Sequence, residues 1–164
     1  NNSRFINKSH TRSADAIILD LEDSVPPLER NYARSILAES VAKARSSGAE
    51  VLVRINRPEI DSRMDIEASV IPGVKALMLP KVNSAQHVQN LADEVAKLEI
   101  KRGIVSGQIG FVVMIESPAA LFRVEEIVNA HPRIRGAILG GEDFATSAAM
   151  TPDPETLFLP KMEV

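Results

Sequence analysis

Five short apolar runs recur along the chain, each ending in polar, mostly charged residues: AIILDLED at 16–23, VLVRIN at 51–56, ALMLPK at 76–81, FVVMIE at 111–116 and GAILGGED at 136–143. Apolar residues in unbroken rather than alternating order mark strands covered on both faces, as in a parallel sheet. Charge that appears only where such a strand stops belongs to the mouth of a sheet or barrel, where α/β enzymes keep their chemistry. Between the runs the pattern turns helical. Residues 28–44 follow the break at Pro26-Pro27 and read as one helix, with Gly48 where a C-terminal cap would fall. Ser84 is an N-cap for a second helix, in which Val88, Leu91, Ala92, Val95 and Leu98 form an apolar stripe. Ser117-Pro118 starts a third, with Leu121, Val124, Ile127 and Val128 on its buried side. A short helix is expected over 64–69, and Phe5 and Ile6 suggest one ahead of the first run.

Strands alternating with helices imply a parallel sheet with right-handed crossovers. Two such folds compete. A doubly wound sheet advertises a glycine-rich phosphate loop after its first strand. Here Leu21-Glu22-Asp23-Ser24 stands in that place and would repel a phosphate, and no GxGxxG occurs. A (β/α)₈ TIM barrel instead places single functional residues at many strand ends. A barrel takes about 250 residues, and this chain has 164, enough for about five βα units. The expectation is therefore a single domain over 1–164 that forms an incomplete barrel, its first strand and C-terminal strands missing.

Composition narrows the classes of function. A net charge of -3 gives no general attraction to nucleic acid or anionic membranes. One Tyr and no Trp make a base-stacking platform a poor expectation. The absence of cysteine rules out disulfides, thiolate metal sites and a Cys nucleophile, and is compatible with a reducing, cytoplasmic setting. No apolar run approaches the roughly 20 residues that span a bilayer. The chain opens on Asn1-Asn2-Ser3 rather than Met, which is compatible with removal of a targeting segment.

The strand ends carry the candidate chemistry. Glu116 closes one apolar strand and Asp143 follows the next, so both point into the mouth one strand apart. Two carboxylates there do not both stay ionised cheaply unless a cation lies between them. Mg²⁺ suits them, because it takes hard oxygen ligands and often only one or two carboxylates. The alternative is that Glu116 serves a helix dipole and Asp143 caps a loop. Asp20, Glu22 and Asp23 form the densest acidic cluster. In an extended segment Asp20 and Glu22 share one face, Asp23 the other, and they would hold metal-bound waters or orient Arg54. Asp23 or Ser24 is also a candidate cap for the following helix. Arg54, inside an apolar strand, needs an anionic partner: either a substrate carboxylate or a salt bridge to Asp20 or Glu22. Lys81 suits anion contact or local charge balance better than Schiff-base chemistry. Arg4, Lys8 and Arg12 would meet a phosphorylated cofactor or form a solvated helix face. His10, His87 and His131 form no constellation and read as surface residues.

The run ADAIILDLEDSVP at 14–26 resembles the signature of the citrate lyase β-subunit-like family, the CoA-ester branch of the HpcH/HpaI aldolase superfamily. The resemblance continues in order through VRIN at 53–56, LPKV at 79–82, IESP at 115–118 and GGEDFA at 140–145. It implies a Mg²⁺-binding barrel that cleaves or forms a carbon–carbon bond in a 3-hydroxyacyl-CoA ester of the citryl-, malyl- or citramalyl-CoA type. Glu116 and Asp143 would be the metal ligands. Arg54 would bind substrate, with Asp20, Glu22 and Asp23 beside the metal and Lys81 near the mouth. CoA would enter as part of the thioester, with Arg4 and Lys8 as candidate contacts. Homo-oligomers, and a mitochondrial location in eukaryotes, would follow from the same resemblance. The alternatives are a class II aldolase acting on free hydroxy-oxo acids and a catalytically silent subunit.

Overall fold

Each of the five apolar runs becomes a parallel strand. The computed structural model describes residues 3–57 and 59–164, the side chains of residues 3, 10 and 47 excepted. The strands are β1 (Ala16–Asp20), β2 (Glu50–Arg54), β3 (Val74–Leu79), β4 (Gly110–Ile115) and β5 (Ile134–Leu139). They lie in one sheet in the order β1-β2-β3-β4-β5, every neighbouring pair parallel. This order never reverses, so it is not doubly wound. Crossovers of one hand, each to the next strand, put the helices on one side of the sheet. That is the barrel-type arrangement, and β1 and β5 are its two edges.

The helices are α1 (Ser3–Lys8), α2 (Arg30–Ser35), α3 (Leu37–Ala44), α4 (Glu59–Ser69), α5 (Ala85–Arg102), α6 (Pro118–Leu121), α7 (Val124–Val128), α8 (Gly141–Ser147) and α9 (Phe158–Glu163). Ser84 and Ser117 cap α5 and α6, accepting the amides of His87 and Ala120. Three expectations need correction. The helix expected over 28–44 is split at Ile36, whose φ of −95° and ψ of 1° leave the helical range and whose amide shares the Tyr32 carbonyl with the Ser35 hydroxyl. The helix expected over 64–69 starts earlier, at Glu59, with Glu59 and Asp61 favourably placed in its first turn. Neither Asp23 nor Ser24 caps a helix: Asp20 captures the Ser24 amide and hydroxyl, and the next element opens at Pro27, which has no N–H to cap.

The two faces of the sheet differ. On the helix side Leu19, Val51, Val53, Leu77, Leu79, Phe111, Val113 and Ile115 form the buried core with Leu37, Val41, Val88, Val95 and Ile127. On the other side lie Ile18, Leu52, Ala76, Met78, Val112, Met114 and Ile138. Ile18 and Ile138, on the edge strands, are 53% and 38% exposed, whereas Met78 and Met114 between them are buried. This second face corresponds to the inside of a barrel, and it ends in Asp20, Arg54, Glu116 and Gly140.

The opposite end of the sheet holds a salt bridge that the sequence reading missed. Glu99 of α5 is fully buried and accepts from the amides of Gly107 and Ile109 at 2.9 Å each. It also accepts both Nη atoms of Arg133, at 2.9 and 2.6 Å. Burial pushes this carboxyl up, but Arg133 and the two amides more than offset it and hold it below its ordinary 4.5. Glu99 therefore ionises more readily folded than unfolded, and its contribution is complete above that value and fades as pH falls. Removing one partner of such a pair costs about 3–5 kcal/mol. Glu99→Gln should lose stability of that order in urea at pH 7, and less at pH 3, where wild type has already lost part of it.

Candidate active site

The carboxyl ends of the strands bring seven residues singled out in the sequence into one cluster. Asp20 and Arg54 are register partners on β1 and β2, so their side chains leave the sheet side by side. The Arg54 fork meets Asp20 with Nε to Oδ1 at 2.8 Å and Nη2 to Oδ2 at 2.6 Å. The same carboxylate accepts the Glu22 amide, the Ser24 amide and the Ser24 hydroxyl. Burial raises this acid, but the Arg54 fork and these bonds hold it well below the usual carboxylate range. The Arg54 guanidinium is held correspondingly high, chiefly by Asp20.

The third Arg54 nitrogen, Nη1, faces Glu22 Oε2 at 3.2 Å and Asp23 Oδ2 at 3.5 Å. Asp23 thus shares a partner with Asp20 and Glu22 instead of pointing away. The strand ends at Asp20, and the turn that follows cancels the alternation assumed from the sequence. The salt bridge between Arg54 and the first acidic cluster is present as expected.

Lys81 links this cluster to the second one. Its ammonium lies 3.0 Å from Glu22 Oε1 and 3.2 Å from Asp143 Oδ2. Burial pulls the ammonium down, but these two acids outweigh it and keep it protonated. A protonated amine has no lone pair for a carbonyl, which argues against Schiff-base chemistry. Lys81 has a φ of 51°, unusual for a residue with a side chain. That turn aims its amide at Glu116 Oε2, 2.5 Å away.

Glu116 is buried beyond β4 and makes no ion pair among the described residues. Burial raises its carboxyl, the Lys81 amide offsets part of this, and Asp143 and Glu22 raise it further. Glu22 is also raised, first by burial and then by Asp23, against the pull of Lys81 and Arg54. Gly140 lies against the Glu116 side chain, where a Cβ would overlap its Cγ and carboxylate. Asp143 stands in the first turn of α8, just beyond this glycine.

Among the described residues no three His, Cys, Asp or Glu converge as a ready-made metal cage. Glu116 and Asp143 nevertheless fit Mg²⁺, which is commonly held by one or two carboxylates with water and substrate completing the shell. Both supply hard oxygen donors, the charge of Asp143 raises the proton affinity of Glu116, and an ammonium already sits against Asp143.

The sequence reading missed the support behind this cluster. Asp65 of α4, fully buried, accepts Arg34 Nε at 2.6 Å and the Asn56 amide and Nδ2 at 2.6 and 2.8 Å. Asn56 Nδ2 also donates to the Leu21 carbonyl at 2.7 Å, between Asp20 and Glu22. A polar Asn closing an apolar strand was a visible signal. The remaining candidates stay apart from the mouth or behave differently. Arg4, Lys8 and Arg12 are exposed at the amino-terminal end. His87 and His131 are half-buried rather than on the surface; His131 Nδ1 accepts the Arg133 amide. The His10 side chain lies outside the described residues.

Residues 1–159 match the model of the HpcH/HpaI aldolase/citrate lyase family. The chain is 33% identical over 157 residues to the citrate lyase subunit beta of Escherichia coli strain K12, covering 94% of this chain and 51% of that one. It is 33% identical over 147 residues to the L-malyl-CoA/beta-methylmalyl-CoA lyase of Cereibacter sphaeroides, covering 87% and 46%. Among solved structures, the citrate lyase beta subunit from M. tuberculosis, complexed with oxaloacetate and magnesium, superimposes with a TM-score of 0.66 at 25% identity over 89% of this chain and 59% of that one. The chain spans about half the length of the curated relatives it matches. The order of the strands, the cluster at their carboxyl ends and these matches place the chain in the HpcH/HpaI aldolase/citrate lyase family.

Proposed function

We propose that this chain forms the metal- and substrate-binding part of a Mg²⁺-dependent carbon–carbon lyase for 3-hydroxyacyl-CoA esters of the citryl-, malyl- or citramalyl-CoA type. The observation that carries this is the charge deficit of the mouth. Five carboxylates, Asp20, Glu22, Asp23, Glu116 and Asp143, meet two cations, Arg54 and Lys81, and buried Glu116 is bonded to neither side chain. Such a set favours a divalent cation between Glu116 and Asp143. The names of the relatives supply the substrate class: a citrate lyase subunit, a malyl-CoA lyase and a magnesium–oxaloacetate complex.

Bound there, Mg²⁺ would act as a Lewis acid and template for a 2-oxo acid product. The chain's own residues do the rest. Lys81 N–H and Gly140 fix the Glu116 carboxylate in place. Asp20 holds the Arg54 fork rigid and leaves Nη1 toward the mouth. When the C–C bond breaks, the substrate hydroxyl releases its proton to solvent and becomes the oxo group, while the bond's electron pair passes to the thioester fragment as an enolate, which a fixed guanidinium stabilises until its carbon takes up a proton. A cavity of about 320 Å³ runs beside β1 to Asp20 and is lined by Phe5, Ile6, Ile18 and Leu37. It fits the apolar part of an acyl-CoA arm, with Arg4 and Lys8 of α1 as contacts for its phosphates. The whole protein would be a cytoplasmic, or in eukaryotes mitochondrial, homo-oligomer, free of nucleic acid and membrane partners. No helix among the described residues is long and apolar enough to cross a membrane.

Titration calorimetry with MgCl₂ tests the metal site. Glu116→Ala and Asp143→Ala should each weaken binding by at least about tenfold; affinities equal to wild type would remove the proposal. Arg54→Ala should lower kcat for citryl- or malyl-CoA cleavage by about 10²–10³, the usual loss for one donor to a developing anion. The assay uses the full-length protein, and EDTA should abolish turnover.

A further inference from the structure

We propose that the Lys81 ammonium is a built-in competitor of the divalent cation. It neutralises the mouth while the metal is absent and must leave Asp143 for the metal to bind. This rests on the reading of Glu116 and Asp143 as ligands. Lys81 is the one described residue that touches Glu22, Asp143 and Glu116 together, the first two through Nζ at 3.0 and 3.2 Å and the third through its amide.

The two attachments differ in kind. The amide bond to Glu116 is part of the backbone and is locked by the left-handed turn at φ 51°. Lysine in that conformation is costly, so the surrounding structure must hold it. The ammonium sits at the end of a flexible four-carbon stem, and the side chain is 43% exposed, which leaves a path into solvent. Mg²⁺ binds carboxylate oxygen at about 2.0–2.1 Å. An ammonium 3.2 Å from the same Asp143 oxygen would repel an ion placed there. Displacement breaks the contact with Asp143 and leaves the amide on Glu116 untouched, so one ligand stays fixed while the other is released. Glu22 keeps a hold on the departing ammonium, since its Oε1 already lies 3.0 Å from it.

The test is MgCl₂ calorimetry on chelator-treated wild type, Lys81→Met, Lys81→Arg and Lys81→Gly. Removal of the ammonium should tighten Mg²⁺ binding about tenfold in Lys81→Met and Lys81→Gly, as expected for losing one partly exposed competing charge. Lys81→Arg should stay within about twofold of wild type. Glycine accepts the positive φ without strain, so Lys81→Gly carries the test should Lys81→Met fail to fold. Equal or weaker binding in both neutral variants overturns the proposal while leaving the metal reading intact if wild type still binds through Glu116. Absence of Mg²⁺ binding in all four proteins overturns both. Tighter binding that survives Glu116→Ala in the Lys81→Met background puts the ion elsewhere and also overturns both.

Discussion

Charge balance at the carboxyl ends of the strands governs the arrangement around it. Arg54 arises inside an apolar strand, and its side chain is only about one-fifth exposed. A guanidinium in that position is costly without an anion. Asp20, its register partner on β1, supplies one in a two-point fork. Asp20 is thereby committed. It also organises the turn after β1 through the Glu22 and Ser24 amides, and that turn swings Glu22 and Asp23 toward the remaining guanidinium nitrogen. One pair thus decides where three acids stand. Glu116 and Asp143 are left with Lys81 as their one cation among the described residues, a cation that Glu22 also shares, and burial makes the shortage worse for Glu116.

The amino-terminal end of the sheet shows what a settled pair looks like. Glu99 and Arg133 are as buried as any charges in the chain, yet Glu99 accepts four bonds and answers to one cation. It has nothing to offer a ligand. The two ends therefore divide the labour of a parallel α/β sheet: chemistry at the carboxyl ends of the strands, stability at the other. The difference lies in the carboxylates: both oxygens of buried Glu99 are matched by donors and a cation, whereas buried Glu116 has no cationic side chain among the described residues.

Much of this was legible in the sequence, for identifiable reasons. The strands were, because buried parallel strands are apolar without interruption. Their charged ends were too, because charge gathers where each apolar run stops. Asp20, Arg54, Lys81, Glu116 and Asp143 could all be read this way, and desolvation showed that Arg54 needs an anion, leaving a substrate carboxylate and a salt bridge both open. The position of Asp23 could not, since a turn erases the period of two just where the acids begin. The break at Ile36 was also hidden, because the apolar pattern continues through it while the Ser35 hydroxyl shares the Tyr32 carbonyl with the Ile36 amide. Glu99 was legible in principle. It follows Val88, Leu91, Ala92 and Val95 at helical spacing, and a charge on an apolar stripe implies a buried partner. Finding Arg133, 34 residues away, required the fold.

The support behind the mouth explains why its loop tolerates so much negative charge. Leu21 lies between Asp20 and Glu22, and its side chain is buried in the core. Its amide donates to the Arg54 carbonyl and its own carbonyl accepts from Asn56. Asn56 is held in turn by Asp65, and Asp65 by Arg34, which also reaches Asp61. Each member is paired with a group of complementary character, so the chain from α2 through α4 to the end of β2 is stiff. Repulsion among Asp20, Glu22 and Asp23 would otherwise be relieved by movement of the loop. With Leu21 clamped from both sides, the loop is held in place, and the repulsion among these acids is retained rather than relieved. The polar residues of α4 and β2, remote from any ligand, are in this sense what keeps the mouth charged.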